Sequence, residues 1–512
     1  MQVAPRFTAK YIDDEIESYD QDEKKLVSLG YKPEFRRELN LWSCFAVSFS
    51  VIGLLPSIAS VLFYAFGYIG LPGMSWGWVI SMSGIICVSM SMAELCSSMP
   101  TSGGLYYSGA VLAPKYKPLV AWTIGWSNWL AQITWAPSVD YALANMIYSL
   151  VSMKNAQFAP THWQVYLLTV ALLTIHAFIA SLPTRIIARM NNVFTIYNLV
   201  ALLIVFVTLL AGNKRRDPRY NSNSRVWLEF VNQTEWPNGI AVLMSFLAAI
   251  WSNAGFDGPF HLSEECSNAS IAAPRAIVMT TTIAGTLGWA LLLVIAYTIG
   301  DISTVLSSPV GLPFATYCDQ VVGPDIAQAL VAITVICSFI MGQACMITAS
   351  RVAFAYARDG CFPFSSFWSH VNSVTKTPVR AVWGNYVVGL LLCLLIFDAT
   401  AISAIFSLGG TAAYIAFIIP VILKVTNPSR FRPGPWNLGR FSPFVAIYAI
   451  CFVLLMIPIL QFPQTRGADL NPQVMNWTVV VYFGPLSLAL FWYAVSARKW
   501  FTGPKVSPEH LN

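Results

Sequence analysis

Residues 240–262 form a long apolar run that is interrupted at Ser252-Asn253-Ala254-Gly255-Phe256-Asp257-Gly258-Pro259. Two glycines, a proline and a carboxylate in the middle of a membrane-length segment break a helix. Hydrocarbon tolerates such a break only where neighbouring protein or a water-filled cavity satisfies the freed backbone groups, so an interrupted span points to a binding site. Asp257 carries the most weight there. A carboxylate near the bilayer centre costs roughly 2.5–3.5 kcal/mol on insertion scales, so it has a partner or a task. Two compatible readings stay open: it caps the half-helix that begins at Gly258-Pro259, or it meets an ammonium group or a proton.

A second interruption lies about 200 residues earlier, at Gly53-Leu54-Leu55-Pro56-Ser57. That interval equals about five spans, the separation an inverted five-span repeat produces. A proline kink in each span is the plain alternative. Where both helices break, the halves that begin there direct N–H groups at the gap and suit a carboxylate, while the halves that end there offer carbonyls to an ammonium. Backbone alone could hold a zwitterion between residues 53–57 and 252–257.

Other polar side chains qualify more weakly. Asn128 and Gln132 stand one helical turn apart in the third run and face either a cavity or a neighbouring helix. Glu94 ends the second run, at a gate or in a salt bridge. Asp140 belongs either to an outer vestibule or to a solvated span end. Phe256 could close over a bound solute. His176 and His261 read as packing residues before proton carriers. Glu264, Glu265, Arg275 and Arg351 form either an intracellular gate or a solvated loop.

The whole chain must position these groups in lipid. Of 512 residues 56% are apolar and only 11% charged, against roughly 25% charged in an average soluble protein. An integral, all-α membrane protein follows. Twelve apolar runs are expected to span, near 42–66, 76–95, 119–150, 163–182, 193–212, 240–262, 276–299, 326–350, 380–397, 402–424, 443–463 and 477–497. Residues 1–40 are expected to be a mostly disordered cytoplasmic tail, and no cleavable signal is visible in them.

With both termini inside, 23 of the 30 Lys and Arg residues face the cytoplasm, which satisfies the positive-inside rule. The remainder are Lys154, Lys214, Arg215, Arg216, Arg219, Arg225 and Arg466. Asn232-Gln233-Thr234, in the external loop 213–239, is a glycosylation sequon. The ten cysteines are scattered without a CxxC pair, so neither a metal site nor a disulfide framework is indicated. No cofactor, nucleic-acid partner or converging nucleophile and base is read, and a membrane enzyme is disfavoured.

Several motifs carry a family resemblance. Ser91-Met92-Ala93-Glu94-Leu95 followed by Pro100-Thr101-Ser102-Gly103-Gly104, Gly255-Phe256-Asp257, the acidic pair Glu264-Glu265, Pro274-Arg275-Ala276-Ile277 and Tyr356-Ala357-Arg358-Asp359-Gly360 resemble the amino acid, polyamine and organocation (APC) transporter superfamily. Leu54-Leu55-Pro56-Ser57-Ile58, Ala136-Pro137-Ser138-Val139, Pro259-Phe260-His261-Leu262 and Pro433-Gly434-Pro435-Trp436-Asn437-Leu438-Gly439 are similar to fungal amino acid/choline permeases, especially 4-aminobutyrate (GABA) permeases.

The resemblance implies a LeuT-type fold of twelve helices. Two inverted five-span repeats, 41–212 and 240–424, would be followed by spans eleven and twelve in 425–497 and a cytoplasmic tail at 498–512. It implies a secondary active permease that imports a small amino acid, GABA foremost, with proton symport and by alternating access. A choline, polyamine or thiamine permease and a non-transporting nutrient sensor are the alternatives. Some proton-coupled relatives carry a lysine in span five, and residues 193–212 contain none. Asp257, Glu94 and Asp140 are then the proton-coupling candidates. The plasma membrane is the expected location, with the vacuolar membrane also compatible.

Overall fold

The computed structural model describes residues 20–215, 217–467 and 470–505. Backbone groups in hydrocarbon must be satisfied within their own segment. The regular secondary structure of the described residues is accordingly helical, apart from one isolated bridge between Leu39 and Cys266.

Among the described residues ten helices are long and apolar enough to cross a membrane, from Leu41–Phe66 to Thr478–Val495. Two of the twelve expected runs differ for physical reasons. Lys117–Lys154 is one 38-residue helix, roughly 57 Å long, but its tryptophans, Asn128, Gln132 and Asp140 lower its mean hydropathy. The sixth run is divided into the apolar piece Asn238–Ser252 and the short helix Gly258–His261. Neither piece reaches membrane length alone.

Span one is also divided, into Leu41–Ile52 and Leu54–Phe66, with Gly53 between them at φ +50°. Its first half packs on Gly258–His261 and its second half on Leu247–Ser252. The two spans therefore run antiparallel with their breaks at one level. Span two (Trp78–Ser98) packs on span seven (Ala269–Thr298), span three (Lys117–Lys154) on span eight (Pro324–Arg358), and span four (His162–Ala180) on span nine (Val379–Cys393). The contact of span three with span ten (Ala399–Thr426) is matched by that of span eight with span five (Thr184–Gly212). Exchanging each span with the one five later maps these contacts onto themselves, as two inverted repeats require. Spans eleven (Ser442–Ile459) and twelve (Thr478–Val495) pack outside, against spans two, three and ten. This is a LeuT-type fold with two additional helices. Burial agrees: 94% of the apolar window of span one is buried, against 22% for span twelve.

The first and last described segments lie on one face of the bundle, here the terminal face, because residues 22–39 touch the ends of spans six and eight while Gly503 packs on Lys117. Residues 20–40 depart from the expected disordered tail. Helix Gln21–Ser28 begins with a capping box between Asp20 and Glu23, and Leu26, Leu29, Tyr31, Phe35 and Leu39 are buried. Five apolar side chains spaced along 14 residues find an apolar face to cover, which outweighs the acidic composition around them. Residues 1–19 and 506–512 of the two expected tails lie outside the described residues. The opposite face carries the 213–239 loop with helix Asn223–Trp227, and helices Ile302–Ser307 and Pro313–Val322.

Candidate functional site

The two breaks are held open by glycine. A Cβ at Gly53 would lie 2.5–2.8 Å from the Met341 side chain, and one at Gly255, where φ is +104°, 2.3 Å from Val51 Cγ1. Both backbones approach a neighbouring helix where no side chain fits. Pro56 supplies no N–H, and Ser57 Oγ donates at 2.6 Å to the Ile52 carbonyl freed by the break. Leu54 and Leu55 are buried in the adjoining turn.

In span six the helix ends at Ser252, and Asn253 N–H still reaches the Ala249 carbonyl at 3.1 Å. The N–H groups of Gly255, Phe256 and Asp257 have no backbone partner among the described residues. Ala254 lies between them and Trp251, and Phe256 is buried against the rings of Phe417 and Tyr414, at 5.2 and 6.4 Å.

Asp257 does not cap the second half-helix, since its carboxylate makes no bond to a first-turn N–H. It turns instead toward span three. Gln132 Nε2 donates to Asp257 Oδ2 at 3.0 Å, and His261 Nε2 lies 3.1 Å from the same oxygen. Asn128, one turn below Gln132, places Nδ2 3.1 Å from His261 Nε2 and 2.9 Å from the Tyr356 hydroxyl. Asp257, His261, Asn128 and Gln132 are all 0% exposed. Asp257 Oδ1, Gln132 Oε1, Asn128 Oδ1, Ser252 Oγ and Asn253 Oδ1 have no partner among the described residues. Buried polar atoms are normally bonded, so five unpartnered ones around a helix break leave hydrogen-bonding capacity that a polar guest could take up.

That place is nearly closed. A cavity of about 20 Å³ lies beside the breaks, lined by Val51, Trp135, Ala254 and Met341 among others, about the room of one water. Above it, toward the face opposite the termini, a vestibule of about 310 Å³ is lined by Tyr64, Tyr141, Asn145, Leu247 and Pro313. Trp251 lines both cavities and forms the floor between them.

The terminal face is sealed by ion pairs. Arg358 makes two bonds to Glu264, at 2.8 and 2.9 Å, and Glu264 also accepts from Thr101 Oγ1 and Ser102 N–H, both at 2.9 Å. Burial pushes the Glu264 carboxyl up, but the Arg358 guanidinium and these hydrogen bonds outweigh it and hold it below the usual carboxylate range. Arg351 donates to Glu265 at 2.9 Å, and Thr184 Oγ1 donates to the same carboxylate at 2.7 Å. Arg275 departs from the expected gate. It is exposed and makes no ion pair among the described residues. Its place is taken by Arg358, which sequence reasoning missed although it lies two turns from Arg351 on the same helix face.

The remaining acids are placed elsewhere. Glu94 is buried and bonded to Lys424, to Leu438 N–H at 2.9 Å and to Ser442 Oγ at 2.7 Å, joining span two to the connection between spans ten and eleven. Asp140 neither lines the vestibule nor ends a solvated span. It is 0% exposed and paired with His176 Nδ1 at 2.9 Å, between spans three and four and against Gly342 of span eight. Asn232 sits on the opposite face in a tight turn, its Oδ1 accepting from Thr234 and its Nδ2 donating to Trp236 and Asn238.

Broken helices around a polar pocket, a vestibule on one side and an ion-paired seal on the other define a multi-pass membrane transport protein. The chain belongs to the amino acid permease family, whose profile matches residues 39–485. It is 53% identical over 505 residues to an uncharacterized amino-acid permease of Schizosaccharomyces pombe, covering 98% of this chain and 93% of that one. A protein of Candida albicans named "Putative polyamine transporter" is 45% identical over 95% of this chain and 90% of its own. The GABA-specific permease of Saccharomyces cerevisiae is 32% identical over 94% of this chain and 86% of its own. These relatives are named as permeases and transporters.

Proposed function

We propose that this permease imports a small amino acid, with GABA as the first substrate, by alternating access and proton symport. The observation that carries the reading is the break of span six. It offers three N–H groups without a backbone partner among the described residues, at Gly255, Phe256 and Asp257, beside a carboxylate oxygen of Asp257 that is likewise unpartnered among them. The N–H groups suit a substrate carboxylate and the Asp257 oxygen an ammonium. Gly53 to Ser57, Asn128, Gln132 and Ser252 to Ala254 complete the proposed substrate site, and Phe256 its aromatic wall. Glu264, Glu265, Arg351 and Arg358 act as the intracellular gate. Both termini are assigned to the cytoplasm, the chain to the plasma membrane and Asn232 to the glycosylated side, following the distribution of Lys and Arg.

A polyamine is the second reading. The relative named for polyamines is 45% identical and the one named for GABA 32%, and a carboxylate beside the rings of Phe256 and Tyr414 also suits a cation.

Uptake of labelled GABA, choline, putrescine and lysine into proteoliposomes, with and without an imposed proton gradient, tests both. GABA accumulation that depends on the gradient is the expected result. Putrescine alone would favour the second reading, and accumulation of no solute would leave a nutrient sensor.

A further inference from the structure

The hydrogen-bond geometry around His261 assigns it more than packing. Its Nδ1 lies 3.1 Å from the Ser102 carbonyl, and a carbonyl only accepts, so Nδ1 carries a proton. Its Nε2 lies 3.1 Å from Asp257 Oδ2. With Asp257 ionised and Nε2 bare, two lone pairs would face each other in a buried site. One further proton placed between them removes the conflict, whether it is written on the imidazole or on the carboxyl, and leaves the pair neutral overall. When that proton departs, Nε2 has a substitute donor in Asn128 Nδ2 at 3.1 Å, and Asp257 keeps the N–H of Gln132 at 3.0 Å. Losing the proton therefore sets the two groups against each other while leaving each with a donor of its own, so the contact between them depends on that one proton.

The same peptide that accepts from His261 reaches the seal of the terminal face. Ser102 C=O takes the His261 Nδ1 proton, while Ser102 N–H donates to Glu264, the partner of Arg358. A Cβ on Gly104 would lie 3.2 Å from the imidazole, so this loop lies directly against the ring. We infer that Asp257 and His261 together hold the co-transported proton, and that His261 reports its presence to the Glu264–Arg358 seal through Ser102. The inference rests on the proposed proton symport and names the atoms that perform it. Other titratable groups face the pair: Tyr356 and Cys345 from span eight, Tyr414 from span ten, and Tyr106, whose ring packs at a tilt against Tyr356 at 4.8 Å. All four are neutral when protonated.

The test uses the full-length protein in proteoliposomes at zero membrane potential. With one proton per solute, a gradient of one pH unit drives accumulation of up to about tenfold. His261→Gln, which keeps a hydrogen-bonding amide but does not titrate, is expected to lower that ratio to about one. Solute counterflow at equal pH should persist. Accumulation by His261→Gln at the wild-type ratio would overturn the inference and leave the transporter reading intact, whereas absence of accumulation by the wild type would defeat the transporter reading itself. A measurement on wild-type protein guards against a variant that does not fold. Infrared difference spectra with isotope-labelled histidine should show imidazole bands moving when substrate is added, absent from His261→Gln or, if that is unstable, from His261→Asn. Wild-type histidine bands that stay still on substrate addition would overturn the proposal independently.

Discussion

Gln132 Nε2 donates to Asp257 Oδ2 at 3.0 Å, tying the long third span to the break in the sixth across 125 residues of chain. The bond fixes one carboxylate oxygen and leaves the other unpartnered at the breaks. Asp257→Asn is therefore expected to abolish uptake while the protein still reaches the cell surface, read by labelled-solute transport beside surface biotinylation. Gln132→Ala should weaken apparent affinity before it lowers expression, because it removes a group that aims the carboxylate. Full uptake by Asp257→Asn would reduce Asp257 to a structural residue.

At the terminal face, Arg358 and Arg275 make opposite predictions. Removing one partner of a buried pair costs about 3–5 kcal/mol, so Arg358→Ala should destabilise the closed seal and expose the buried Cys361 and Cys266 to thiol reagents. Arg275→Ala, at an exposed position, should stay within about 0.5 kcal/mol of the parent. Thermal melts and cysteine labelling compare the two directly.

The Gly53 position is tight as well as left-handed. Gly53→Ala adds a Cβ within 2.8 Å of Met341 and about 1–2 kcal/mol of left-handed strain. Loss of transport is expected, with partial recovery on combining it with Met341→Ala, which removes the collision and leaves the strain.

Glu94 is bonded on all sides by Lys424, Leu438 and Ser442. Glu94→Gln should lower thermal stability while the number of protons carried per solute stays unchanged. A changed stoichiometry would restore Glu94 as a carrier.

Docking of residues 20–40 should depend on pH through Asp359, which accepts from Tyr31 Oη at 2.6 Å. Burial raises the Asp359 carboxyl from 3.8 to about 6, against the opposing pull of Arg358 and of the Tyr31 bond. The docked state thus holds the proton more tightly than the undocked one. Docking is strongest below pH 3.8, weakens as pH rises toward about 6, and stays at its weaker level above that. Trypsin cleavage after the exposed Arg36 should accelerate over that rise after correction for the protease's own pH profile, and Asp359→Asn should flatten the dependence.

Much of the site was legible in one dimension. Glycine, proline and an acid inside apolar runs announce a broken helix wherever they occur, and the interval from Gly53 to Gly255 announces a repeat. Asp257 and His261 are four apart, and Arg351 and Arg358 seven apart, spacings that bring side chains to one helix face. Both pairs could have been read from the sequence had the helix been continued past Gly258 and past Arg351.

The sequence by itself determined that this is a many-span membrane protein with two matched helix breaks and a family membership, because apolar length and backbone-breaking residues act locally. Tertiary structure alone decided that Asp257 turns to Gln132 and His261 rather than capping its own helix. It also decided that Arg358 seals the face while Arg275 points outward, that Asp140 hides against His176, and that residues 20–40 fold over the bundle. Each of those outcomes depends on which distant element supplies the bonding partner, and the low cost of leaving an exposed charge in water gives local sequence no means to tell a buried arginine from a solvated one.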